Sequence, residues 1–122
     1  MEKSNPKAFF ALGTWFFFGE NGCKKDEEKG LEYIRKAAEL KDSDALYHLA
    51  LYYERLENAT DEDVKKAFLY YFEAALLGDA SAMYEVGRCL FYGIGTTQNE
   101  LLAEVAIATA EHLGYEEQDD DR

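Results

Sequence analysis

Three stretches of this 122-residue chain repeat one another at a fixed interval. The first runs Ala-Phe-Phe-Ala-Leu-Gly-Thr-Trp-Phe from Ala8. Moving on by 37 residues gives Ala-Leu-Tyr-His-Leu-Ala-Leu-Tyr-Tyr from Ala45, and by 37 more Ala-Met-Tyr-Glu-Val-Gly-Arg-Cys-Leu from Ala82. Each opens on alanine and has an aromatic at its third place (Phe10, Tyr47, Tyr84), an aliphatic at its fifth (Leu12, Leu49, Val86) and a small residue at its sixth (Gly13, Ala50, Gly87). A second motif follows each: Ala37-Ala38, then Ala74-Ala75, then more loosely Ala110-Glu111, at spacings of 37 and 36. A period of this length means an array, in which one supersecondary unit stacks on the next because no unit can bury its apolar face alone.

Both halves of each unit read as helices. Apolar or small residues fall at Ala8, Leu12, Trp15, Phe16 and Gly19, then at Ala45, Leu49, Tyr52, Tyr53 and Leu56, spaced i, i+4, i+7, i+8 as on one helical face. Val64, Ala67, Phe68, Tyr71, Ala74 and Ala75 do the same in the second half of unit two. Thr60 with Asp63 three residues on marks a helix start, and Gly78 and Gly114 follow the second helices as C-terminal stops do. Strand alternation is absent. The expected architecture is all-α, an α-α superhelix (solenoid) of three helix-hairpin repeats and six helices. The repeats span 6–44, 45–81 and 82–115, with an extension at 1–5 and an acidic, disordered tail at 116–122.

On these residues the chain resembles the Sel-1-like repeat family, longer relatives of the tetratricopeptide repeat. Unit two carries most of the family pattern, in Ala45, Leu49, Ala50, Tyr53, Asp63, Lys66, Ala67, Tyr70, Ala74, Ala75 and Gly78. Unit one supplies Ala8, Leu12, Gly13, Phe16, Gly19, Asp26, Tyr33, Ala37 and Ala38, and unit three Ala82, Val86, Gly87, Leu90, Gly93, Gly95, Ala103, Ala110 and Gly114. Unit two lacks the loop glycines, having Leu56-Glu57-Asn58, so its hairpin loop should differ. Unit three has Ala106 and Glu111 at family aromatic and alanine positions, which suits a terminal helix with one face open to water. The resemblance implies a protein-binding module. Some secreted members carry a disulfide in every repeat, and this chain has only Cys23 and Cys89.

Charge narrows the class of partner. The chain carries 13 Lys and Arg against 25 Asp and Glu, a formal −12. Phosphate binding needs a basic face, so nucleic acid is excluded, and so is docking on anionic lipid. Residues 1–41 have a net charge of +1 and residues 42–115 of −9, so the acidity belongs to units two and three more than to the tail. The apolar run from Ala8 to Phe18 follows Lys3 and Lys7 as a signal peptide would, but no small-residue cleavage site follows it, and it is too short for the ~20 residues that a membrane span needs. The expected location is cytoplasmic, with reduced thiols and no use for the Asn58-Ala59-Thr60 sequon.

No catalytic constellation assembles. His48, near the polar boundary of its helix, and His112, in a last helical turn, are the only histidines. Gly93-Ile94-Gly95 follows a helix rather than a strand, against the dinucleotide context, and Asp61-Glu62-Asp63 fails the calcium-loop pattern. Neither a metal nor a cofactor is expected, and the chain reads as a non-enzyme, with a hydrolase as the remote alternative. Binding is the stronger reading. First helices of stacked hairpins line a concave face, and opposite the core stripe they present Phe10, Phe17 and Phe18 in unit one. Unit two presents Tyr47, Leu51, Glu54 and Arg55 there, and unit three Tyr84, Arg88, Phe91 and Tyr92. Aromatics with arginine are what interface hot spots prefer, although such rings also pack between units. A small, strongly acidic protein, monomer or homodimer, suits capture of a basic protein partner by electrostatic steering. The specific expectation is an immunity-type inhibitor of a basic toxin or nuclease. The alternative is an adaptor holding a peptide or regulatory protein in the groove.

Overall fold

The computed structural model describes residues 5–116, so the expected extension before Asn5 and the tail beyond Glu116 lie outside the described residues. Six helices follow in order: α1 (Pro6–Phe18), α2 (Glu27–Glu39), α3 (Ser43–Glu54), α4 (Asp61–Leu76), α5 (Ala80–Tyr92) and α6 (Glu100–His112). No strand occurs among the described residues. The helices pair as α1 with α2, α3 with α4 and α5 with α6, and each pair stacks on the next through α2 against α3 and α4 against α5. This is the all-α solenoid of three helix hairpins.

Every helix start is written in the sequence. Asn5, Asp26, Asp42, Thr60, Asp79 and Asn99 are the N-caps, each accepting from a backbone N–H of the first turn. Such caps satisfy donors that the helix itself leaves unpaired. Thr60 and Asp63 form a reciprocal capping box. Asp42 is the one buried charged side chain among the described residues, at 4% exposure; besides capping α3 it accepts from Lys7 Nζ at 2.9 Å.

The hairpin loops differ as the missing glycines required. α1 and α5 stop at Gly19 and Gly93, in left-handed backbone with φ of 73° and 72°. α3 ends instead on Arg55 at φ −99°. Between units, Gly78 turns at φ 93°, and the equivalent place after unit one is taken by Lys41 at φ 67°, an unusual left-handed lysine.

The core is a spine of small and medium side chains. Ile34, Ala37, Ala45, Leu46, Leu49, Ala50, Tyr71, Ala74, Ala82 and Cys89 are all sealed from water. Within unit one the two helices approach closely. A Cβ on Gly30 would lie 2.7 Å from the Gly13 carbonyl oxygen and the Phe17 nitrogen. Burial pushes the Cys89 thiol up to about 12, so it behaves as a small apolar side chain.

One expectation of burial needs correction. Ala8 is exposed, and only Gly13 of α1 is buried, whereas the equivalent Ala45 and Ala82 are sealed. Those two pack against the second helix of the unit before, and among the described residues no such helix precedes α1. At the other end, Val64 and Phe68 of α4 lie under the Gly95 loop of unit three. Their equivalents in α6 are Glu100 and Glu104, followed by Ala108 and Glu111, all exposed. The stacking stripe of α4 has become a polar one in α6.

Candidate functional site

Contacts between first helices divide the expected binding face into two regions. Between α1 and α3 the region is aromatic. The His48 ring is ringed edge-on by Phe10 (6.0 Å between centroids), Phe17 (5.4 Å) and Phe18 (5.8 Å), and Phe17 also meets Tyr52 at 6.1 Å. His48 therefore sits inside an apolar cluster and not at a polar boundary. Its Nδ1 is buried without a hydrogen-bond partner, and burial lowers its pKa below the ordinary 6.5, so the imidazole is held neutral.

A cleft of about 430 Å³ opens beside this cluster. Phe17 and Phe18 form one wall, His48, Leu51 and Tyr52 the other, and Glu27, Arg55 and Glu57 stand at the mouth. Phe18 remains 53% exposed although it ends a packed helix.

Between α3 and α5 the region is polar and closed on itself. Arg88 Nη2 donates to both carboxylate oxygens of Glu54 at 2.9 Å, and Arg88 Nε donates to Glu85 at 2.7 Å. Tyr71 donates to Glu54 at 2.7 Å, and Tyr47 to Glu85 at 3.2 Å. Burial works against the Glu54 charge, but the hydrogen bonds from Arg88 and Tyr71 outweigh it and hold the carboxyl below its usual range. Burial, with a carboxylate beside each phenol, drives Tyr47 and Tyr71 upward, so both stay protonated donors. Burial also opposes the Arg88 charge, and the two carboxylates more than compensate, keeping the guanidinium charged.

The expected residues thus separate. Phe10 and Phe17 are half-buried in the His48 cluster, while Phe18, Leu51 and Arg55 line the cleft. Tyr47, Glu54 and Arg88 are half-buried in the polar network. Tyr84 stacks on Tyr115 at 4.4 Å, and Phe91 and Tyr92 form an edge-on pair at the end of α5, 40% and 66% exposed. His48, Tyr52, Tyr71 and Glu85 were not singled out for this face. The register was the available signal: Tyr47 and Glu85 are 38 residues apart, one more than the repeat interval, so they meet across adjacent first helices. Among the described residues no cluster of three His, Cys, Asp or Glu could hold a metal ion, and no helix is long and apolar enough to cross a membrane.

The model of the Sel1 repeat family matches residues 6–42, 43–79 and 80–104. The chain belongs to the Sel1 repeat family. Solved Sel1-repeat structures superpose on it closely. A Sel1 repeat protein from Oxalobacter formigenes matches with a TM-score of 0.84 at 26% identity, over 93% of this chain and 84% of that one. The Helicobacter pylori cysteine rich protein B matches at 0.72 and 25% identity, over 90% of this chain and 88% of that one. The protective antigen c5321 of uropathogenic Escherichia coli, with an SLR fold, matches at 0.77 and 28% identity over 88% of this chain, which spans only 22% of that one. No curated protein matches the chain. Sel1 repeats are protein–protein interaction modules, and that coarse function holds for this Sel1-repeat protein.

Proposed function

We propose that this Sel1-repeat protein captures a basic protein on its first-helix face and the adjoining acidic surface of units two and three, as an inhibitor of an immunity type acting on a cationic toxin or nuclease. The partition of charge carries the reading: residues 42–115 hold a net −9. Glu54 and Glu85 are half-buried and share Arg88, so they contribute little of that field. The attraction comes from exposed acids, Asp44, Glu57, Asp61 and Glu62 in unit two and Glu100, Glu104 and Glu111 in unit three. Steering by such a surface raises the association rate and falls with ionic strength.

The test is stopped-flow association with a cationic protein recovered from the native lysate. A rate that falls roughly tenfold or more between low and physiological salt supports the reading, and a salt-insensitive rate refutes it. The apolar cleft favours a second reading, an adaptor that holds a neutral peptide. In that case Phe18→Ala weakens binding and salt does not. Tyr47 and Tyr84 are poor probes of either reading, because both pack internally.

A further inference from the structure

Resting on that reading of a basic partner, we propose that the cleft between α1 and α3 is its anchor site, taking one bulky apolar side chain from a segment that carries a cation beside it. The cleft's 430 Å³ falls within the range of sites that bury small ligands. Its walls, Phe17, Phe18, Leu51 and Tyr52 around a neutral His48, offer an incoming ring or aliphatic chain only weakly polar contacts. They are already ordered: the Phe17 and Phe18 rings lock edge-on at 5.0 Å, both meet His48, and Gly19 stops α1 directly after Phe18. A pre-formed wall spares the entropy of ordering on binding.

The mouth sets what flanks the anchor. Glu27 and Glu57, both exposed, accept a lysine or arginine on the partner, and Arg55, exposed in the same lining, donates to a backbone carbonyl of the same segment. Glu27 pairs with Lys25 at 3.9 Å, with both side chains more than half exposed, a pair that a partner's cation displaces readily. An acidic segment would meet two carboxylates with one guanidinium to offset them.

The full-length protein is titrated with acetyl-Lys-Trp-Lys-amide and acetyl-Glu-Trp-Glu-amide, following the His48 ring and Leu51 methyl resonances. The cationic peptide should shift both with a Kd on the order of 1 mM and bind about tenfold more tightly than the acidic one. Phe18→Ala, at a half-exposed position, should weaken both peptides by about fivefold or more, and Glu57→Lys should close most of the gap between them. The anchor assignment is overturned if neither peptide moves these resonances, if both bind equally, or if Phe18→Ala leaves affinity unchanged. Salt-dependent capture of a basic protein would survive that failure, and its loss with the peptide result intact would overturn only the charge-driven function.

Discussion

Arg88→Met tests whether the polar region between α3 and α5 holds the solenoid together or stands ready for a partner. In the native chain Arg88 donates three hydrogen bonds to Glu54 and Glu85, and its side chain is 29% exposed against 20% and 19% for the carboxylates. Hydrogen bonds to charged groups contribute about 1.5–3 kcal/mol each where water is excluded. These share one side chain, and water returns in part when it goes, so they do not add. Methionine keeps much of the volume but leaves two half-buried carboxylates facing each other. The expected loss is about 2–3 kcal/mol, below the roughly 3–5 for breaking a fully buried pair and above the roughly 1 at most for a surface pair. In urea, with a slope of about 1–3 kcal/mol/M, the midpoint falls by roughly 0.7–3 M. Glu54→Gln keeps an acceptor for the Tyr71 hydroxyl and removes the charge. In that background Arg88→Met should cost about 1 kcal/mol less, a coupling that contacting residues show and distant ones do not. Because its carboxyl is held below the ordinary 4.5, Glu54 stabilises the fold above that pH and loses this contribution as pH falls through the lower folded value. Glu54→Gln should remove that part of the acid dependence. A cost within ~0.5 kcal/mol for Arg88→Met, with no coupling, refutes the argument and returns these side chains to the partner surface.

Four further outcomes follow from the same geometry. Gly30→Ala should destabilise by about 1–3 kcal/mol despite the helix propensity it gains, because its Cβ meets Gly13 and Phe17 backbone, whereas Gly87→Ala, whose closest contact at 2.6 Å is the Ile107 side chain and whose nearest backbone atom is at 3.2 Å, should cost less in parallel thermal melts. Lys41→Gly should stabilise by roughly 0.5 kcal/mol, relief of the left-handed backbone exceeding the loss of the exposed Lys41–Glu73 pair at 3.0 Å; a lowered urea midpoint would count against it. His48 has a folded pKa below 6.5, so the unfolded chain binds more protons between the two values and stability falls as pH drops from about 6.5, by at most ~1.4 kcal/mol per pH unit; His48→Phe should flatten this slope in urea midpoints compared at pH 7 and 5.5. Converting the α6 stripe to its α4 counterpart, with Glu100→Val, Glu104→Phe and Glu111→Ala together, should produce concentration-dependent association in sedimentation velocity, and a variant that sediments like the parent would deny the stripe its capping role.

The fold was legible because its determinants are local and repeated. The interval placed each unit, side chains able to cap stood before every helix, and the missing glycines of Leu56-Glu57-Asn58 foretold the different end of α3. The binding face was legible only as a list of positions. Residues 17–18, 54–55 and 91–92 occupy one register, yet three neighbourhoods give them three fates. Phe17-Phe18 wall a cleft, Glu54 is consumed by Arg88 and Tyr71 with Arg55 left at the cleft mouth, and Phe91-Tyr92 stand in water. What decides among them is the facing residue on the next first helix, offset from the repeat interval by a turn or less. Arg88 lies 34 residues after Glu54, three short of the interval. Reading each unit alone places a side chain on a face, and only the pairing of units shows whether that face is already occupied.

Unit three differs from the other two in its internal ring contacts as well. In units one and two a lysine lies over the first-helix ring, which itself stacks on a second-helix tyrosine: Lys29 on Phe16 beside Tyr33, and Lys66 on Tyr53 beside Tyr70. In unit three the same three places hold Leu102, Leu90 and Ala106, so the cation and both rings are gone. Cation–π contacts at such sites are worth about 0.5–1 kcal/mol each; the ring stack of unit three is a different one, Tyr84 on Tyr115 at 4.4 Å. Unit three is also tied to unit two by specific contacts. Those links are the Arg88 network, the Tyr47–Glu85 hydrogen bond and the Gly95 loop over Val64 and Phe68. Its outward stripe is polar where the equivalent stripe of α4 packs on the next unit. Of the side chains expected at a binding groove of units two and three, Tyr47, Glu54 and Arg88 are the ones that join unit three to unit two.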